Sequence, residues 1–121
     1  MLRRGGQQWY ADGRDTWAHP GGWMDFGESA KETAERETVE ETGVVVSAVE
    51  VMGTHVNPND AGTLWVVNLF VRCEYDFGDP RVMEPEKCPE VAWVPLGEID
   101  GLPLFHPTRV FHDLLRATDG R

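Results

Sequence analysis

The chain has 121 residues, 40% of them hydrophobic and 26% charged, with a formal net charge of -10. That length supports one domain with an apolar core, spanning 1–121, and the balance is that of a folded globular protein, neither disordered nor fibrous. So acidic an average field repels polyanions and no basic stripe offsets it, which excludes a nucleic-acid polymer as partner; a small anionic ligand fits only if bound cations reverse the local charge.

Met1 to Arg4 reads as the end of a strand whose beginning is missing, since so short an apolar start before Gly5 and Gly6 cannot form a stable sheet edge alone. No signal-peptide order is present, and no stretch reaches the roughly 20 apolar residues of a membrane span, so no membrane partner and a cytoplasmic location are expected. Residues 5–16 are loop by composition, with Trp9 and Tyr10 embedded, and Trp17-Ala18 leads into the backbone corner Pro20-Gly21-Gly22.

Helix signals begin at Ser29, a capping residue with Glu32 three positions on, and end at Gly43, where a left-handed stop belongs; the spacing predicts a helix over 30–42. Val44 to Met52 and Leu64 to Glu74 read as two strands of a hairpin with a long loop around Asn57-Pro58-Asn59-Asp60. On the second strand Trp65, Val67, Leu69, Val71 and Cys73 form an all-apolar face expected to be core, while Leu64, Val66, Asn68, Phe70 and Arg72 form a mixed face expected to line a cleft. Cys73 and Cys88 lack any CxxC or Cys/His spacing and read as thiols of a reducing compartment.

Residues 76–90 read as an irregular loop carrying Glu84-Pro85-Glu86-Lys87, and Val91 to Pro95 as a short strand around Trp93. A last helix starts near Pro107 and presents Val110, Phe111, Leu114 and Leu115 on one face. Interleaved strands and helices without repeats predict an α/β domain, a mixed sheet between helices.

Within the first helix Glu37, Glu40 and Glu41 stand at i, i+3 and i+4 and share one face with Ala30, Thr33 and Ala34. Like charges at these spacings, near the negative end of the helix, oppose the helix rather than support it. A hard divalent cation with oxygen ligands removes the conflict; a solvated acidic face is the competing explanation.

The flanks bear on that choice. Gly22, Glu28, Arg36-Glu37, Glu40-Glu41, Gly43 and Val44 match the pattern G-x5-E-x7-R-E-U-x-E-E-x-G-U, and the chain thereby resembles the Nudix hydrolase family. One position departs, Thr38 standing where a bulky aliphatic is usual. Trp17 to Gly22 is similar to the T-W-x-x-P-G-G lead-in of MutT-like members, and Glu84 to Lys87 followed by Trp93-Val94-Pro95 is similar to their late loop and strand.

The resemblance implies a Nudix fold, an α/β/α sandwich, and Mg2+-dependent hydrolysis of a nucleoside diphosphate linked to a group X, with Mn2+ able to substitute. The MutT-like pattern points to a nucleoside triphosphate such as dGTP or oxidised dGTP, giving monophosphate and pyrophosphate. An ADP-ribose or nucleotide-sugar hydrolase and a non-catalytic nucleotide-binding regulator are the alternatives.

By the same resemblance the metal ligands are Glu37, Glu40, Glu41 and the Gly21 carbonyl, with Arg36 orienting a glutamate and Glu28 supporting it. The general base is Glu41 or Glu37, with Glu86 the first loop candidate and Glu84 the next. Phe70, Asn68 and Phe105 are candidates for holding the base, and Arg3, Arg4 and Arg14 for meeting phosphates. A homodimer is usual for relatives.

Overall fold

The computed structural model describes residues 1–4, 16–59 and 61–119, without the side chains of 2–4 and 119. Strand β1 (Leu2–Arg4) is not a lone edge: it lies between β2 (Thr16–Ala18) and β5 (Glu90–Val91), antiparallel to both. Three residues suffice because each side supplies a partner, and Ala92 N–H adds a bond to the Met1 carbonyl at 2.8 Å. The expected strand over 91–95 contracts to Glu90–Val91, and from Leu96 to Gly101 the chain turns in a 3-10 helix. A single parallel bridge joins Trp17 to Leu104, with Trp17 N–H donating to Pro103 O at 2.8 Å and Phe105 N–H to Trp17 O at 2.9 Å.

Helix α1 (Ala30–Thr42) forms where its caps place it. Ser29 and Glu32 exchange side-chain bonds with each other's backbone, and Gly43 ends the helix at φ 74°. Its inward face is built from threonines. Thr33 and Thr42 are buried, and the hydroxyls of Thr33, Thr38 and Thr42 donate to the carbonyls of Ser29, Ala34 and Thr38 at 3.0, 2.7 and 2.6 Å. Thr38 thus satisfies its hydroxyl within the helix, so the polar residue at the aliphatic position leaves no unmet donor.

Strands β3 (Val45–Pro58) and β4 (Trp65–Phe77) make a second, separate antiparallel sheet, both longer than the sequence pattern indicates. Register shifts between Ala48 and Glu50 and between Val51 and Gly53 bend β3. The face assignment of β4 is corrected here: Trp65, Val67 and Leu69 are 75%, 59% and 40% exposed, whereas Phe70 is buried. Both faces are apolar enough to be core, and α2 (His106–Asp119) decides between them by setting Phe111 parallel to Phe70, ring centroids 4.9 Å apart.

The buried side of α2 is centred on Thr108 and His112, with the expected apolar residues Val110, Phe111, Leu114 and Leu115 half-buried. Leu114 still reaches the sheet, and a Cβ at Gly53 would fall 2.9 Å from its Cδ2. His112 is the most buried large side chain, and among the described residues neither ring nitrogen has a hydrogen-bond partner. No helix of the described residues is long and apolar enough to cross a membrane.

Candidate active site

The site grows from the loop 19–28 laid against α1. Arg36 is the hub: its guanidinium forks onto Glu28 (Nε to Oε2 2.6 Å, Nη2 to Oε1 3.0 Å), reaches Glu37 at 2.9 Å and Glu40 at 3.1 Å through Nη1, and donates to the Trp23 carbonyl at 3.1 Å. Planar, fixed donors make arginine suited to such multiple engagement. Glu28 in turn accepts from Asp25 N–H and from the Thr33 hydroxyl, both at 2.9 Å. The Arg36 hydrogen bonds, helped by the Asp25 N–H, push the Glu28 carboxyl down to about 2.

The two glycines have distinct contacts. A Cβ on Gly22 would lie 2.6 Å from the Glu37 carboxylate, so only glycine lets loop and helix approach this closely. Gly21 meets the helix through its N–H, which donates to Glu41 Oε1 at 2.8 Å. Glu41 is half-buried, and burial pushes its carboxyl up to about 8 against the lowering effect of that bond, with Glu37 and Glu84 adding to the rise.

Three carboxylates on one stretch of helix, with Glu41 unable to ionise readily beside Glu37 and Glu84, are the donor chemistry that suits a hard divalent cation. Among the described residues, however, no three acidic, histidine or cysteine side chains already converge to enclose an ion. Glu37 and Glu40 face Arg36, and Glu41 faces Gly21. Glu37 is the more enclosed of the first two, its side chain 15% exposed against 53% for Glu40.

The loop over 84–88 reverses the order expected of its glutamates. Lys87 and Cys88 N–H both donate to Glu84 O, at 3.0 and 2.8 Å, closing a helical turn that sets Glu84 half-buried in the cleft and leaves Glu86 exposed and outside it. Lys87 Nζ stands 3.7 Å from Glu84. Sequence reasoning passed over Lys87 as a site residue, although its i+3 spacing from Glu84 was available as a signal.

The remaining candidates divide. Asn68 and Phe105 line the same cleft as the glutamates, the Asn68 amide donating to Asn57 Oδ1 at 2.5 Å. Phe70 lines that cleft as well, but is buried, with one ring face covered by Phe111. The side chains of Arg3 and Arg4, and Arg14 altogether, lie outside the described residues. Sequence reasoning also passed over Trp23, which follows Gly22 and lines the cleft.

Fold and site together define an α/β domain whose carboxylate helix is clamped to a glycine corner. Its residues 1–114 match the NUDIX domain model, and the chain belongs to that family. It is 35% identical over 96 residues to a Mycobacterium tuberculosis protein provisionally named 8-oxo-dGTP diphosphatase 3, covering 76% of this chain and 42% of that protein. A Bifidobacterium longum nucleoside triphosphate pyrophosphatase/Nudix hydrolase fusion protein is 31% identical over 91 residues, 75% of this chain and 18% of the fusion. The chain therefore spans less than half the length of these curated relatives. Among solved structures, a MutT NUDIX hydrolase from Burkholderia pseudomallei superposes with a TM-score of 0.77 at 25% identity, over 93% of this chain and 84% of that one.

Proposed function

We propose that the protein is a divalent-cation-dependent pyrophosphohydrolase that cleaves a nucleoside triphosphate, dGTP or an oxidised dGTP being the foremost candidates, to the monophosphate and pyrophosphate. The observation that carries this reading is Glu41, half-buried beside Glu37 and Glu84 and bonded to the Gly21 N–H, a carboxylate cluster with a use only when cations neutralise it. The names of the Mycobacterium and Bifidobacterium relatives support the substrate class.

Phosphoanhydride hydrolysis asks the protein to position a water in line and to offset charge on the phosphate oxygens. Glu37, Glu40 and Glu41 would hold Mg2+ or Mn2+, which supplies that neutralisation and acidifies water. Arg36 keeps Glu37 and Glu40 in place, Glu28 keeps Arg36 in place, and Gly22 permits the approach. Glu84, which lines the same cleft and adds to the rise in the Glu41 pKa, is assigned the proton from the attacking water, in preference to Glu86. Asn68 and Phe105 are assigned to the nucleoside.

The test is a panel of nucleoside triphosphates, ADP-ribose and nucleotide sugars incubated with Mg2+ and separated by chromatography. Monophosphate plus pyrophosphate from a triphosphate is expected. Cleavage of ADP-ribose or sugars alone would move the substrate class, and absence of turnover throughout would reduce the protein to a nucleotide-binding module.

A further inference from the structure

We propose that Trp23 is the platform on which the base of the nucleotide stacks. This rests on the hydrolase reading above and adds the contact that would grip the part of the substrate remote from the phosphates. Within four residues the loop places Trp23, Met24 and Phe26 outward, and the Trp23 residue keeps 75% of its surface exposed.

The backbone beneath that indole is fixed. Its carbonyl accepts from Arg36 at 3.1 Å, Asp25 N–H donates to Glu28 at 2.9 Å, and Gly22 just before it abuts Glu37. Trp23, Met24 and Phe26 together form an exposed apolar stretch on an anchored main chain, and a stretch of that kind, unlike a lone exposed ring, suits an apolar partner. Continuity with the site says which partner. Trp23 lines the same cleft as Glu37, Glu41 and Glu84, one residue from Gly22, so a ligand whose phosphates meet the carboxylates brings its flat base into reach of the indole. Phe26 lies outside that cleft. Phe105 is half-buried and so offers less free surface, and the exposed Trp93 and Tyr75 of the same cleft are already set edge to face on each other, ring centroids 5.6 Å apart. An indole face accepts any base by stacking, which supplies affinity and leaves finer discrimination to polar groups such as Asn68.

Calorimetric titration of the full chain with Mg2+ present, using a non-hydrolysable dGTP analogue and separately inorganic pyrophosphate, tests the assignment. Trp23→Ala is expected to weaken the analogue on the order of tenfold with pyrophosphate unaffected, Trp23→Phe to retain most of the affinity, and Phe26→Ala to change neither. Unchanged binding in Trp23→Ala, an equal loss for both probes, or a matching loss in Phe26→Ala would overturn it. So would a defect in Phe105→Ala with Trp23→Ala unaffected, which would move the base to the start of α2. Wild-type protein that binds the analogue through Trp23 but turns over no nucleotide would sink the hydrolase reading and leave the platform standing; wild-type protein that fails to bind the analogue at all would overturn the platform.

Discussion

Gly22 abuts the end of the Glu37 side chain: a methyl group on the glycine would sit 2.6 Å from the acid's carboxylate atoms. Gly22→Ala must therefore displace the Glu37 carboxylate, the more enclosed of the two helix glutamates held by Arg36. The expected result is a loss of Mg2+ affinity and of turnover of about 10- to 100-fold, with little change in melting temperature because the loop is exposed. Titration of metal into both proteins, alongside thermal melts, checks it.

Glu41 makes an electrostatic prediction with a definite sign. Its carboxyl is raised from 4.5 to about 8 in the folded chain, so the folded state holds a proton there that the unfolded state has released. Stability from this group is fully present below about 4.5 and is lost as pH rises through about 8. Metal-stripped protein should accordingly melt at lower temperature at pH 8.5 than at pH 6 (about those values), and Mg2+ should erase much of the difference while releasing protons near neutrality. A flat melting profile in chelator would count against the crowded carboxylate.

Glu40→Gln and Glu41→Gln should each lower kcat by about 100-fold or more with the fold intact. Circular dichroism and steady-state assays of the purified variants decide it, and near-normal turnover by either would remove that residue from the machinery.

The two glutamates of the late loop separate cleanly. Glu84→Gln should depress kcat by about 100-fold and shift the acidic limb of the pH-rate profile, while Glu86→Gln, exposed and outside the cleft, should stay within about twofold of wild type. The reverse pattern would return the role to Glu86.

His112 offers a stability test away from the chemistry. Burial lowers its pKa, and its ring nitrogens find no partner among the described residues. The folded state resists protonating it, so stability contributed above the ordinary value of 6.5 fades as pH falls below it. His112→Leu should raise stability by about 1 kcal/mol and flatten that acid-side loss, measured by urea unfolding at two pH values.

How much of this was legible in the sequence depends on the range of the interaction involved. The ends of α1 could be read because Ser29, Glu32 and Gly43 act on their own neighbours, and those short-range bonds form wherever the helix goes. The core face of β4 could not, because Trp65, Val67 and Leu69 are as apolar as Val66 and Phe70, and the choice is made by Phe111 more than 40 residues on. Which of Glu84 and Glu86 lines the cleft was hidden for a similar reason: a single helical turn, invisible in a Pro-rich loop, decides which one faces inward. The carboxylates of α1 and their glycine corner were adjacent in the pattern, but the Gly21 N–H bond to Glu41 required the chain to fold back.

Arg36 ties loop to helix through three bonds made within the protein itself, two to Glu28 and one to the Trp23 carbonyl. The conformational freedom of the loop is accordingly surrendered when the chain folds, and little is left to surrender when an ion arrives. Cation association should then be driven mainly by the liberation of hydration water, with rearrangement confined to the side chains of Glu37, Glu40 and Glu41 as they turn from Arg36 and Gly21 onto the ion.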